Sequence, residues 1–243
     1  MIKFFRKIRR NLLMENKTGK YLKYAIGEIV LVVIGILIAL QINNWNENRK
    51  SSTKELLILE ELHQSLENNK DILSSRGEMF SKTEKEAELL LAYIDAKKEY
   101  NDSITRYFSL PLRNLSYRLS YASFENLKSQ GFETISNENL RLNIIKLFDE
   151  DFGLLLDNEN KVAQLIIPYI TFFNKHFQTD VINQNNILGI PDDYEFILSS
   201  SEYKNMISFI KTISVLFNSR SNVVIDKIEL LKNEISMEIK SKT

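Results

Sequence analysis

Residues 25–42 read Ala25-Ile-Gly-Glu-Ile-Val-Leu-Val-Val-Ile-Gly-Ile-Leu-Ile-Ala-Leu-Gln-Ile42, and their only charged side chain is Glu28. From Tyr24 to Trp45 the chain has 22 residues, which as an α-helix would measure about 33 Å. The hydrocarbon core of a bilayer is about 30 Å thick. The sequence therefore predicts a transmembrane helix over residues 24–45. Tyr21 and Tyr24 at one end and Trp45 at the other fit interfacial anchors.

Two other structures fit an apolar segment near the start of a chain. The first is a buried helix of a soluble core, but such a helix rarely runs from Ile29 to Leu40 without one polar side chain. The second is a cleaved signal peptide, which has a shorter apolar run followed by a small-x-small site. Here Asn43-Asn-Trp45 follows instead, which favours an uncleaved signal anchor.

The net charge of zero conceals an asymmetry between the two sides of this segment. The chain of 243 residues has 32 Lys or Arg and 32 Asp or Glu; residues 1–24 hold eight of the basic residues and one Glu, a net of +7. The remaining residues therefore carry −7. Because Lys and Arg stay on the cytoplasmic side, residues 1–23 are predicted to be cytoplasmic and residues 46–243 to lie across the membrane. The acidic second part would repel phosphate, so nucleic acid is not an expected partner.

The basic segment before the span is amphipathic. Phe5, Ile8 and Leu12 recur at helical spacing, and a basic helix of this kind can lie among anionic lipid headgroups. The residues expected at the headgroups are Lys3, Arg6, Lys7, Arg9 and Arg10. The same charges can instead serve only to set the topology, and the two roles are compatible.

The composition indicates long helices for the rest of the chain. Seven Gly and three Pro are few for this length, and there is no Cys, which excludes thiolate zinc sites and disulfides and disfavours turn-rich β-folds. Apolar residues recur every three or four positions in three stretches, which is typical of helices packed lengthwise. The stripes are Leu59, Leu62, Leu66, Leu73 and Phe80; then Ile145, Phe148, Phe152, Leu155, Val162, Ile166, Tyr169 and Phe173; then Tyr203, Met206, Ile210, Ile213, Phe217, Val224, Ile228, Leu231 and Ile235. We expect an all-α protein with one transmembrane helix, followed by an elongated, mostly antiparallel bundle of three or four long helices.

Several local signals refine this expectation. Ser52 to Glu55 can form a capping box that starts a new helix, or the membrane helix runs on through it. Gly77 predicts a kink or turn, and Gly131 a left-handed cap closing a short helix over 121–130. Ser136 or Asn137 caps the next helix, and Pro168 should kink it. Residues 183–194 are expected to form a loop, and no segment predicts a β-strand.

Five stretches resemble a known family. They are Met1-Ile-Lys-Phe-Phe-Arg-Lys-Ile-Arg9, Tyr24-Ala-Ile-Gly-Glu-Ile29, Ile34-Gly-Ile-Leu-Ile-Ala-Leu-Gln-Ile-Asn-Asn-Trp-Asn46, Ala122-Ser-Phe-Glu-Asn-Leu-Lys-Ser-Gln-Gly131 and Ile135-Ser-Asn-Glu-Asn-Leu-Arg141. They are similar to a family of uncharacterised single-pass membrane proteins of Gram-negative bacteria, in which the signature leads into a helical domain of unknown function. The resemblance implies an inner-membrane protein with a periplasmic domain. It implies no activity and no catalytic residues.

The polar residues form no complete catalytic or metal-binding pattern. Glu60 and His63 make one Glu-x-x-His, but a di-iron bundle needs a second such pair and two further carboxylates. The only other histidine, His176, follows Phe173 on an apolar stripe and is expected to be tucked into the core. We therefore expect no catalytic residue, cofactor or metal, and a protein that is not an enzyme.

Glu28 is the residue of the span that most invites a role. Near the cytoplasmic edge it can reach the headgroups, or it can make a polar contact across helices. Gly27, Gly35 and Ala39 are expected to lie on roughly one face, with Leu31 between them, and Gly35-x-x-x-Ala39 permits close helix approach. The expected partners are membrane lipids and either a second copy or another membrane protein. We expect a binding, sensing or scaffold module; the alternative is an accessory subunit of an ion-driven motor or transport complex that uses Glu28.

Overall fold

The fold is given by a computed structural model that describes residues 18–183 and 186–242. The chain divides into two compact units, Met1–Lys54 and Glu55–Thr243. The first unit holds the beginning of a long helix, and the second holds the remainder of that helix together with the packed core.

The described residues are mainly α-helical, which confirms the all-α class. The helices are α1 (Thr18–Asp95), α2 (Thr105–Phe108), α3 (Ala122–Gln130), α4 (Glu138–Ile145), α5 (Gly153–Leu165), α6 (Ile167–His176), α7 (Tyr194–Ser199) and α8 (Ser201–Lys242). A π-helical segment, Lys146–Phe152, joins α4 to α5. Short 3-10 helices span Asp102–Ile104, Leu110–Leu112 and Phe132–Thr134. Strands β1 (Phe177–Asn183) and β2 (Asn186–Pro191) pair as an antiparallel hairpin.

In the second unit, α8 lies antiparallel along residues 55–95 of α1. Ion pairs mark the direction, because the α8 partner falls in number as the α1 residue rises. The pairs are Glu67 with Lys232, Lys70 with Glu229, Glu88 with Lys211 and Asp95 with Lys204. Between them the apolar stripes of both helices are buried, and Leu59, Leu62, Leu66, Leu73 and Phe80 have no exposed surface. These two long helices pack antiparallel, as expected for a mostly antiparallel bundle.

The predicted stripe from Ile145 to Phe173 lies on a row of shorter helices rather than on one long helix. The expected helix is divided into α4, the π-helical segment, α5 and α6. Asn137 caps α4 by accepting the Leu140 N–H at 3.2 Å, as predicted. The break between α5 and α6 falls at Ile166, and Pro168 lies in the first turn of α6, where its missing N–H costs no hydrogen bond.

The β-hairpin corrects the prediction of a loop over 183–194 and of no strand. In the hairpin Thr179 pairs with Gly189, and a Cβ on Gly189 would lie 3.0 Å from the Phe108 Cβ and 3.1 Å from the Phe173 ring. Only glycine allows the strand to approach Phe108 and the Phe173 ring so closely. The Ser109 hydroxyl donates to the Ile187 carbonyl at 2.6 Å and holds β2 against the end of α2.

Three local predictions in the helices are resolved by the fold. Helix α1 runs on through Ser52–Glu55 and through Gly77. Of the kink or turn predicted at Gly77, the turn is therefore wrong. Gly77 is buried, and a Cβ there would lie 3.0 Å from the Asn218 Oδ1; the missing side chain lets α8 come close. Gly131 ends α3 with φ 90° and ψ 130°, which is a glycine conformation but not the predicted left-handed helical cap.

The core of the second unit consists of two apolar clusters. The larger unites Ile58 to Phe80 of α1 with the inner faces of α3, α4, α5 and the later part of α8. The smaller joins Ala87 to Ile94 with α2, α6, β1, α7 and the first turns of α8. Together the two clusters cover the inner face of α1 from Ile58 to Ile94.

Candidate functional site

The most distinctive surface of the protein is the apolar part of α1 in the first unit. Twelve large apolar side chains from Ile26 to Ile42 are each 47–68% exposed. Because six of them, residues 29–34, are consecutive, they point in every direction around the helix. Each would gain about 1 kcal/mol or more in an apolar environment. Among the described residues one helix is long and apolar enough to cross a membrane, and none of its apolar window is buried.

This exposure bears on the alternative of a soluble core helix. A core helix is mostly covered by its own protein, whereas the described part of the chain leaves the large apolar side chains of residues 26–42 exposed. Length and composition of this kind are also met in signal sequences, which the mass of the mature protein would reveal.

The predicted helix-contact residues of the span lie on an open part of α1. Glu28 is partly exposed. A Cβ on Gly27 or Gly35 would have nothing within 4 Å, and Ala39 is exposed one turn after Gly35. A neighbouring helix can therefore approach these small residues closely.

The other residues predicted for the membrane boundary lie mostly outside the described part of the chain. This holds for Lys3, Arg6, Lys7, Arg9 and Arg10, and for the side chains of Tyr21 and Tyr24. Trp45, at the far end of the span, is described.

The end of the apolar stretch has the polarity of a membrane interface. Trp45 is 64% exposed, and the Arg49 guanidinium carbon lies 5.5 Å from its ring centroid, within the range of a cation–π contact. Lys50 pairs with Glu47 at 3.1 Å. Aromatic and charged groups thus follow the apolar residues within two helical turns, as interfacial anchors do.

The two histidines of the second unit are not brought to a common site. His63 is half-buried and Glu60, on the same face, is exposed. His176 is half-buried: its ring centroid lies 4.6 Å from that of Phe172, to which it is tilted, and 4.8 Å from that of Phe196, on which it stacks. The predicted contact with the core is therefore only partial. In the part of the chain that the structure describes, no three His, Cys, Asp or Glu side chains are grouped so that they could hold a metal ion.

A shallow depression of about 200 Å³ lies between α4, the π-helical segment and α8. Four of its polar groups bond to one another: the Lys227 ammonium lies 2.5 Å from the Asp151 carboxylate, and the Asn143 amide donates to Glu234 at 2.8 Å. Lys146 also lines the depression. Leu147, Leu230 and Leu231 supply its apolar lining. This lining can receive an apolar side chain.

Sequence reasoning missed two polar side chains that fix an irregular segment, residues 113–121. Asn69, fully buried, pairs with the Ser120 backbone through both amide atoms, each at 2.8 Å. The Glu159 carboxylate accepts the Tyr117 N–H at 2.9 Å. In the sequence Asn69 and Glu159 look only like interruptions of apolar stripes, although a polar residue on a core stripe is itself a signal of a buried hydrogen bond.

A second missed cluster surrounds Glu55 at the start of the second unit. Glu55 is only 4% exposed; it accepts the Ser136 N–H at 2.8 Å and the Ser136 hydroxyl at 2.9 Å, and pairs with Lys242 at 3.0 Å. Burial lowers the pKa of Lys242, but hydrogen bonds to Glu55 and Glu238 outweigh it and raise that pKa above its ordinary value. The cluster ties α1, the entry to α4 and the end of α8 together.

Comparison with known proteins places the chain in a family but assigns it no activity. No curated protein and no solved structure matches the chain. A family described as a family of unknown function (DUF6090) matches residues 28–219, which include most of α1 and all elements up to the middle of α8. The match begins at Glu28, so the basic segment that opened the resemblance lies before it. Since the match covers most of the chain, the protein belongs to this family of unknown function.

Proposed function

We propose that this protein is a single-pass inner-membrane protein of a Gram-negative bacterium, with residues 1–23 in the cytoplasm and 46–243 in the periplasm. The observation that carries the proposal is the contrast within α1. Its residues 26–42 expose large apolar side chains in every direction, whereas its residues 58–94 have an inner face of apolar side chains buried in the core and leave only Leu89 as a large exposed apolar residue. The charge step from +7 to −7 across the span supports the orientation.

The periplasmic domain acts as a non-enzymatic binding, sensing or scaffold module. Its buried polar groups are used to fix the fold: Asn69 and Glu159 hold segment 113–121, and Glu55 ties three chain segments. In the shallow depression Lys227 is paired with Asp151 and Glu234 accepts from Asn143. Surface contact is the activity that the domain best supports. Partners are membrane lipids at the basic segment and a second copy or another membrane protein.

Extraction from membranes tests the anchoring. The full chain should stay in the pellet after alkaline carbonate treatment, since a spanning helix is not released by pH or salt. Replacing Val33 and Leu37 by Arg should move the protein to the soluble fraction, because each charge at the middle of a span costs about 2.5–3.5 kcal/mol. The matched control replaces the exposed Leu57 and Leu89 of the second unit by Arg and should remain in the pellet.

A soluble wild-type chain, or a Val33→Arg, Leu37→Arg chain that pellets as well as the control, would contradict the anchoring. The binding role is tested by purification from native membranes in mild detergent. We expect the chain to co-purify reproducibly with a second copy or another membrane protein. A chain that purifies alone as a monomer, from membranes that hold it at its natural level, would refute the scaffold role.

A further inference from the structure

A line of exposed apolar side chains follows α8 at intervals of seven residues. Leu216, Val223, Leu230 and Met237 are 42%, 53%, 65% and 64% exposed. Seven residues make almost two turns, so the four side chains form a nearly straight stripe about 32 Å long. We call these four residues the α8 stripe. Single exposed apolar residues are common on protein surfaces, but a strict heptad line is the pattern of a helix seam.

The stripe is separate from the face that α8 buries in its own bundle. Core residues Phe217, Val224 and Leu231 each follow a stripe residue by one position, and Ile228 and Ile235 follow by five. With about 100° per residue, the centre of the core face lies roughly 120° around the helix from the stripe. The bundle therefore leaves the stripe uncovered, and it needs an apolar partner to leave water.

We propose that the α8 stripe is the contact between two copies of this chain, with their α8 helices paired in parallel and in register about a two-fold axis. A second copy supplies the required seven-residue spacing at every level. Leu216, Val223, Leu230 and Met237 then each meet the same residue of the other copy, as the central positions of a parallel helix pair do.

The charges beside the stripe fit this arrangement. Lys227 and Glu234 lie on the side toward α4, four residues after a stripe residue, and Asp226 and Asn233 lie on the opposite side, three residues after one. When the two-fold axis runs parallel to the helices, the side of α8 toward α4 in one copy faces the opposite side of α8 in the other copy. Lys227 then stands beside Asp226 of the second copy, and Glu234 beside Asn233 of the second copy, at nearly equal heights. Lys227 already contacts Asp151, but an ammonium group has three donors and accommodates a second carboxylate.

The size of the seam explains why membrane anchoring matters. Four partly exposed side chains cover much less than the ~800 Å² per partner of a stable soluble dimer. Two chains held in one bilayer meet at a far higher effective concentration than chains in solution. The inference therefore rests on the proposed function: the contact forms between anchored full-length chains.

Single-cysteine cross-linking in membranes tests the pairing, and the natural chain has no cysteine. Val223→Cys in the full chain should give a disulfide-linked dimer on mild oxidation, because the two sulfurs face each other across the axis. The matched control is Asn222→Cys. Asn222 is exposed like its neighbour Val223, but its side chain points about 100° away from the α8 stripe. We expect at least five-fold more dimer from Val223→Cys, and loss of that excess when Leu230→Arg is added.

Equal cross-linking of the two single-cysteine variants, or none from either, would overturn the proposal. A mixed dimer between Val223→Cys and Leu230→Cys chains, without a Val223→Cys homodimer, would replace the parallel pairing by an antiparallel one. Carbonate extraction of the same samples distinguishes a failure of the α8 contact from a failure of the membrane anchoring. Protein that pellets without cross-linking contradicts only the α8 contact, whereas protein that does not pellet contradicts the membrane anchoring beneath it.

Discussion

Replacement of Asn69 gives the sharpest test of how the second unit is held together. Asn69 is completely buried on the stripe of α1, and its amide group donates to the Ser120 carbonyl and accepts the Ser120 N–H, both at 2.8 Å. The side chain thus satisfies both the N–H and the carbonyl of Ser120, as the backbone of a neighbouring β-strand would. Loss of two hydrogen bonds costs about 1 kcal/mol each, so we expect Asn69→Ala to destabilise the fold by about 2 kcal/mol.

Asn69→Leu makes the test discriminating. Leucine restores the apolar stripe and most of the volume, yet it leaves the Ser120 N–H and carbonyl without their partner. We expect Asn69→Leu to lose about as much stability as Asn69→Ala. For a unit of this size about 2 kcal/mol lowers the midpoint of thermal unfolding by roughly 4–8 °C, which circular dichroism of the full chain in detergent measures.

The control is Leu73→Ala, one turn further on and also fully buried. It should cost about 2–5 kcal/mol through the cavity that it leaves, but the Ser120 amide should keep its local protection from hydrogen exchange. In Asn69→Leu that amide should exchange faster than its neighbours. A more stable Asn69→Leu protein with an unchanged Ser120 amide would show that apolar burial, not the paired amide, holds segment 113–121.

Four further substitutions have definite expected outcomes. Gly131→Ala should cost about 1–3 kcal/mol in urea unfolding, because φ 90° strains any residue with a Cβ; Gly153→Ala, helical and open around its Cβ, should instead stabilise slightly. Phe80→Ala should cost about 3–5 kcal/mol in the same assay, since the ring is fully buried, and a loss below 1 kcal/mol would contradict its place in the core. The hydrogen bond from Asn137 is the largest cause that lowers the pKa of Glu238 below 4.5. The stabilisation from Glu238 is therefore present above pH 4.5 and lost as the pH falls through the lowered value; a stability profile of Asn137→Ala should show a smaller acid loss, and an unchanged profile would refute the link.

The long elements of this fold could be predicted because they depend on periodic burial alone. Each residue of the predicted stripe on α8 from Tyr203 to Ile235 is buried or partly buried, since a helix that packs lengthwise must repeat its apolar residues every three or four positions. The helix over residues 26–42, whose apolar side chains are exposed, was predictable for another reason, namely its uninterrupted apolar composition.

The elements that the sequence did not predict depend on partners far along the chain. Glu55 is satisfied by Ser136, and Glu159 by the Tyr117 N–H; neither pairing leaves a local pattern. Strand β2 exists because Gly189 fits against Phe108, a contact that no short window contains. Polar residues on apolar stripes therefore look like interruptions in the sequence, although they hold the irregular segments in place.

Two-sided labelling of single cysteines tests the central claim most directly, namely that the chain crosses the membrane once with its N-terminus inside. Asn16→Cys and Ser51→Cys flank the span in a chain that otherwise has no cysteine. A membrane-impermeant maleimide on intact spheroplasts should label Ser51→Cys at once and Asn16→Cys only after the membrane is permeabilised. Labelling of Asn16→Cys in intact spheroplasts, or protection of Ser51→Cys, would contradict the proposed topology.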